Sequence, residues 1–154
     1  MVSAKAHIQL HASCVAFGET AILLRGPSGS GKSDLALRLI ERGAVLVADD
    51  RVDLRRDAAR LRAAPPATLV GLLEIRGVGL VRLPHRTGIT VGLLVDLVAP
   101  GAVERLPVPA AETILAIPVP RLALDAFAAS TPAKIAAALR PGALLDLDDA
   151  ASAA

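Results

Sequence analysis

The sequence predicts an α/β fold, a mixed buried sheet flanked by helices and built around a phosphate-binding loop. Three observations carry that prediction. Gly26-Pro27-Ser28-Gly29-Ser30-Gly31-Lys32-Ser33 is a complete G-x-x-x-x-G-K-[ST] loop (P-loop) lying between a short apolar run and a helix-like segment. Apolar residues make up 53% of the 154-residue chain, yet only Phe17 and Phe127 are aromatic, so the core must be Leu, Val, Ile and Ala. Ala44-Val45-Leu46-Val47-Ala48 is an unbroken apolar run, the pattern of a strand buried on both faces in a partly parallel sheet. The length suits one domain, residues 1–154, with 146–154 read as a frayed acidic tail.

Taken in order, His7 to Leu10 and Cys14 to Phe17 read as short strands, and Gly18-Glu19 turns the chain into the strand Thr20 to Leu24. Asp34 to Arg42 reads as a helix, with Leu35, Ala36, Leu39 and Ile40 on one face and Arg38, Glu41 and Arg42 off it. Gly43 stands where a left-handed terminating residue is wanted. Arg51 to Arg62 is charged and suggests a surface hairpin. Ala64-Pro65-Pro66 is a loop, and Leu69 to Ile75 leads through Arg76-Gly77-Val78-Gly79 into Leu80-Val81. Pro84 to Gly88 is a further loop. Thr90 to Val98 is a strong strand broken by Pro100-Gly101, and Thr113 to Val119 is another, closed by Pro118 and Pro120. Thr131 caps a last helix with Pro132 in its first turn. Ile135, Ala138 and Leu139 form its apolar face, and Pro141-Gly142 stops it.

Composition narrows the function. The formal net charge is +2 with the arginines spread along the chain, and there is no Trp or Tyr to stack single-stranded bases, so nucleic acid is not an expected partner. Ile89 to Val95 is strongly apolar, but Asp96, Pro100 and Gly101 interrupt it. No membrane partner is expected, no signal peptide is apparent, and the location expected is the cytoplasm. Cys14 is the only cysteine, which excludes an internal disulfide and points to a buried apolar thiol. The chain has no Asn, so the Asn-Lys-x-Asp guanine-reading motif of small GTPases is absent, and no arginine-rich lid of a nucleotide kinase is seen.

In a P-loop, successive N–H groups and the positive end of the following helix hold an anion. Lys32 can reach the outer phosphates, and Ser33 can hold Mg²⁺. Asp49 and Asp50 close the strand after the loop's helix, where a crossover brings them beside the phosphates. An acid there can ligate Mg²⁺ or accept a proton from an attacking hydroxyl. Alternation along a strand would turn only one of the pair toward the phosphates unless the strand has already ended. Glu74 and Arg76 flank Ile75 and share a face, suited to Mg²⁺ and to phosphoryl charge. On the residues alone a surface ion pair looks the same. His7, His11 and His85, read alone, are structural hydrogen-bonding residues. A phosphotransferase with an acid beside the loop fits this chemistry best.

These segments, together with Leu10-His11-Ala12-Ser13, Leu46-Val47-Ala48-Asp49-Asp50-Arg51-Val52, Leu72-Leu73-Glu74-Ile75-Arg76-Gly77-Val78-Gly79 and Glu104-Arg105-Leu106, give the chain a family likeness. It resembles the catalytic domain of HPr kinase/phosphorylase, the bacterial enzyme acting on a serine of the phosphocarrier protein HPr, from about His11 to Pro120. The resemblance implies the P-loop kinase fold of the HPr kinase/PEP carboxykinase-like class. It implies Mg²⁺ and ATP as cofactors, with Gly26 to Ser33 holding the nucleotide, Ser33 and Glu74 the metal, and Lys32 the outer phosphates. Asp50 is the implied base, Asp49 a supporting acid near Lys32 and the metal, and His11 an influence on the charge of the carboxylates. Arg76 belongs to the segment tied to both activities, and Arg105 meets phosphate or the protein substrate. The implied partner is an HPr-like phosphocarrier protein of a phosphotransferase system, and the implied assembly a homo-oligomer, a hexamer in the family. The chain begins almost at His11, without a counterpart to the N-terminal domain of longer members. The Gly-Arg-Asn segment tied to dephosphorylation has no match beyond Pro120. A kinase of a small-molecule alcohol and a non-catalytic ATP-sensing module are the alternatives.

Overall fold

A computed structural model describes residues 6–142 of the chain. The tail expected over 146–154 lies outside the described residues. In chain order the elements are β1 (His7–Leu10), β2 (Ala12–Phe17), β3 (Thr20–Arg25), α1 (Lys32–Glu41), β4 (Val45–Ala48), β5 (Val52–Asp57), β6 (Arg60–Ala64), β7 (Leu72–Ile75), β8 (Gly79–Arg82), β9 (Ile89–Leu97), β10 (Ala110–Ile114), β11 (Ile117–Leu124) and α2 (Thr131–Ala138). The strand path runs β1-β5-β6-β9-β3-β2-β4, with β11 beside the second half of β9 and β10 beyond β11. β3, β9 and β11 are parallel and the remaining pairs are antiparallel, so the sheet is mixed, as expected.

Alternation along the central strands divides their side chains between two apolar layers. Cys14, Ala16, Ala21 and Leu23 enter one, and Val15, Ile22 and Leu24 the other. The first layer also takes Val52, Leu54 and Leu61 from one end of the strand path and Val47 and Ala48 from the other, so the sheet curls on itself. The second is covered by α1 through Leu35, Ala36 and Leu39 and by α2 through Ile135. Burying each leucine contributes roughly 2 kcal/mol. Burial pushes the Cys14 thiol well up, so this cysteine is an unreactive packing residue.

The end of α1 follows the expected chemistry. Gly43 has φ 104°, its N–H donates to Ile40 O at 3.0 Å, and Ala44 N–H donates to Leu39 O at 3.1 Å. That is a Schellman ending, and it reverses the chain into β4. β4 pairs only with β2 among the strands of the path, so β2 separates it from β3. Both pairings are antiparallel, which leaves β4 parallel to β3 and its carboxyl end on the side of the P-loop.

Two expectations are corrected. The segment read as one strand from Thr113 to Val119 is a hairpin, in which Leu115 and Ala116 turn the chain at φ 49° and 64° between β10 and β11. Nothing marks that turn in sequence, because it lacks the usual Asn-Gly. Pro118 and Pro120 lie inside β11 rather than closing a strand. They are two residues apart, so both missing N–H groups fall on one edge, and β9 joins only from Arg121 onward. The second correction is at α2. Ser130 occupies the N-cap position, and Thr131, inside the helix, donates its hydroxyl to Asp125 O instead of capping.

A four-charge cluster ties this hairpin to the sheet. Arg25 donates to Asp96 at 2.6 and 2.9 Å and to Glu112 at 2.5 and 2.7 Å, and Arg121 donates to Asp96 at 2.5 Å. Burial pushes the Asp96 carboxyl up, but bonds from Arg25 and Arg121 outweigh it and hold the group below its ordinary 3.8. The Arg25 hydrogen bond holds Glu112 below 4.5. Depressed carboxylates stabilise the fold above their unfolded values and lose that contribution as pH falls through the folded ones. The expected result is an unfolding free energy that declines as the pH falls below about 5. Arg25→Met should flatten that slope and cost roughly 2 kcal/mol at pH 7 in urea titrations.

Candidate active site

The P-loop joins β3 to α1. Gly31 takes φ 96°, and a Cβ there would meet Ala126 Cβ at 2.8 Å and Phe127 Cζ at 2.9 Å, so the position admits only glycine. The first helical carbonyl to be used is Gly31 O, by Leu35 N–H, so the N–H groups of Lys32, Ser33 and Asp34 precede the helical ladder. Lys32 is buried, and its ammonium donates to Gly26 O at 2.8 Å and Pro27 O at 3.2 Å. One of its three protons is left for an anion. Ser30 Oγ is buried with no protein partner.

Beyond Ala48 the strand has ended, and both acids of the Asp49-Asp50 pair turn toward the loop. Asp49 is 8% exposed. Its Oδ1 accepts from Ser33 Oγ at 2.6 Å and Ser13 Oγ at 2.9 Å, and its Oδ2 accepts from Glu74 N–H at 3.0 Å. One carboxylate thus joins β2, α1 and β7. Asp49 contacts Ser33 and not Lys32, whose ammonium faces the loop's own carbonyls. Arg51 N–H donates to Asp49 O at 2.7 Å across Asp50, which has φ 64°. This is a γ-turn of the rare positive-φ kind, and strain of that sort persists where the surrounding structure enforces it. Ser13 helps enforce it by accepting Asp50 N–H at 3.1 Å. The elbow leaves the Asp50 carboxylate exposed, with His11 Nε2 at 2.6 Å from its Oδ1.

A cleft of about 410 Å³ brings Ser28, Gly29, Gly31, Lys32 and Ser33 together with Asp50, Glu74 and Arg76. Glu74 and Arg76 arrive on the β7–β8 hairpin, a separate two-stranded sheet. Its buried Leu73 packs into the layer under α1. His11 reaches the cleft through Asp50, and Asp49 through Ser33. Arg105 is not brought in. It lies in the exposed stretch 104–109 between β9 and β10, outside the cleft lining, where Pro107 and Pro109 help keep the chain irregular. His7 stands on β1 and His85 on an isolated bridge to Leu46, both outside this site. Sequence reasoning gave no role to Ser13, whose only signal is a hydroxyl in an apolar strand. It gave none to Phe127, Leu37 or Ile75, which also line the cleft.

The donor set suits a hard divalent cation bound with phosphate. Ser33 and Glu74 offer oxygen to the cleft, and Asp49 fixes both by its bonds to the Ser33 hydroxyl and the Glu74 amide. Among the described residues no group of three or more His, Cys, Asp and Glu side chains forms a protein-only cage. Mg²⁺ characteristically takes one or two carboxylates and completes its shell with water and substrate phosphates. Among the described residues no helix is long and apolar enough to cross a membrane.

Comparison with known proteins converges on one group. The family model described as the HPr Serine kinase C-terminal domain matches residues 3–133. The HPr kinase/phosphorylase of Clostridium tetani is 38% identical over 96 residues, covering 58% of this chain and 32% of that protein. That of Streptococcus thermophilus is 52% identical over 61 residues, 39% of this chain and 20% of that protein. The chain therefore spans a third or less of the length of these two curated relatives. The solved structure described as the Hpr(Ser) kinase/phosphatase from Coxiella burnetii superposes with a TM-score of 0.74 at 28% identity, covering 83% of this chain and 86% of that one. With the P-loop, the Asp49-Asp50 elbow and the Glu74 hairpin on one cleft, the chain belongs to the HPr serine kinase C-terminal domain family.

Proposed function

We propose that the protein is an ATP-dependent serine kinase acting on an HPr-like phosphocarrier protein. One observation supports this above the others: the Asp50 carboxylate, set on a strained elbow, shares a cleft with the Lys32 end of the P-loop. A pure nucleotide sensor has no use for an exposed acid at that point.

In the reaction, the loop amides and Lys32 hold the outer phosphates. The acceptor serine oxygen forms a bond to the γ-phosphorus as the bond to the β–γ bridging oxygen breaks and ADP departs. Asp50 takes the serine proton, and His11 orients the carboxylate through its Oδ1. Arg76 counters the charge on the transferring phosphoryl group. Mg²⁺ held by Ser33 and Glu74 would neutralise phosphate charge. Arg105, on its exposed segment, is assigned to contact with the carrier protein. A homo-oligomer, a hexamer by analogy with the family, and a cytoplasmic location complete the proposal.

The test is to mix the protein with γ-labelled ATP, Mg²⁺ and an HPr-like protein, with and without inorganic phosphate. Label on a carrier serine is the expected result, and its loss on adding inorganic phosphate reports the reverse activity. Label on a small metabolite alone, or nucleotide binding without transfer, would overturn the assignment.

A further inference from the structure

Phe17 and Phe127 are the only aromatic residues in the chain. Phe17 packs against the apolar layer beneath α1. Phe127 is 65% exposed, yet it lines the cleft over the phosphate loop. The 2.9 Å between its Cζ and an ideal Cβ on Gly31 sets the ring against the backbone of the loop's last glycine.

The ring does not hang on a free loop. Its own N–H donates to Asp125 Oδ1 at 3.0 Å. Arg38 of α1 donates to Ala126 O and, at 3.3 Å, to Ala128 O, and is itself held by Asp34 at 3.0 Å. Thr131 Oγ1 donates to Asp125 O. The helix that begins at the P-loop therefore grips the turn that carries the ring. Leu37, from the same helix, adds apolar surface to the cleft beside it.

A nucleotide has two unlike ends, a polyphosphate and a flat base. Lys32, Ser33, Asp50 and Glu74 serve the first and offer nothing apolar. Phe127 and Leu37 are apolar and line the same cleft. A rigid, exposed aromatic ring beside a phosphate cradle suits a base, because every base has a π-face to stack. We propose that Phe127 is the base-binding platform of this site, stacking on the purine of the bound nucleoside triphosphate. The proposal rests on the nucleotide-binding reading above.

Titration calorimetry with ATP and with inorganic tripolyphosphate, each with Mg²⁺, separates the two readings. Phe127→Ala should weaken ATP about tenfold and leave tripolyphosphate within about twofold. Phe127→Trp would make the chain's sole tryptophan. Its fluorescence should change with ATP and stay constant with tripolyphosphate, while its ATP affinity stays near the parent's. Equal loss of both ligands in Phe127→Ala would make the ring a support for the loop, and loss of neither would make it irrelevant to binding. Either result overturns the proposal. If the parent protein bound neither ligand, the nucleotide-site reading would fall first and this one with it.

Discussion

Asp50→Asn is expected to slow phosphoryl transfer to the acceptor serine by about a thousandfold while leaving Mg²⁺–ATP affinity within about threefold. A serine hydroxyl is a poor nucleophile, and a positioned base contributes roughly 10²–10⁴ in rate. Asparagine is the informative substitution because it changes little else. Asn and Asp both tolerate the left-handed backbone that φ 64° imposes. The amide can also keep a hydrogen bond to His11 Nε2, now 2.6 Å from the acid. Alanine would mix loss of the base with backbone strain of about 1 kcal/mol. Turnover with the carrier protein and calorimetry with ATP, on the same preparation, give both quantities. Unchanged turnover would remove Asp50 as the base, and an effect confined to ATP affinity would reassign it to nucleotide binding.

Asp49→Asn should be the more damaging change to the fold. The native carboxylate accepts three hydrogen bonds and is almost fully buried. An amide has one oxygen. If that oxygen serves the Ser13 and Ser33 hydroxyls, its NH₂ points at Glu74 N–H, and two donors face each other. If it is flipped, the serines can rotate but the oxygen serves only the amide. Either way a buried group loses its partner, at roughly 2–4 kcal/mol. Turnover should fall as well, because Ser33 and the Glu74 strand lose their common anchor. Ser13→Ala removes the donor to Asp49 and the acceptor of Asp50 N–H, and should cost roughly 1–2 kcal/mol. Urea denaturation compares the variants, and an Asp49→Asn midpoint equal to the parent's would deny the carboxylate its joining role.

The parts of the molecule visible in sequence are those set by local chemistry. The P-loop, the apolar face of α1 and the Gly43 ending each depend on residues within one or two turns of one another. The hairpin expected from Arg51 to Arg62 is present as β5 and β6, although Leu54 and Leu61 bury one of its faces. What escaped depends on distant partners. Leu115-Ala116 carries no turn signature and is held as a turn by the pairing of β10 with β11. The orientation of Asp49 and Asp50 could not follow from strand alternation, because a γ-turn begins where the last pleat ends. The turn bearing Phe127 is clasped by Arg38, 88 residues earlier than the Ala126 carbonyl it holds. The family resemblance supplied Glu74 and Arg76, where spacing alone left a surface ion pair equally good.

The β7–β8 hairpin forms a ladder of its own, seated by buried Leu73 and half-buried Ile75 in the layer under α1 and by the bond from Glu74 N–H to Asp49. Its outer rim, with Val78 at 74% and Leu80 at 67% exposure, contributes nothing to the nine-stranded ladder. Leu80 nevertheless stands directly across the ladder from Glu74, so a change on that rim is transmitted to the acid that faces the phosphate cleft.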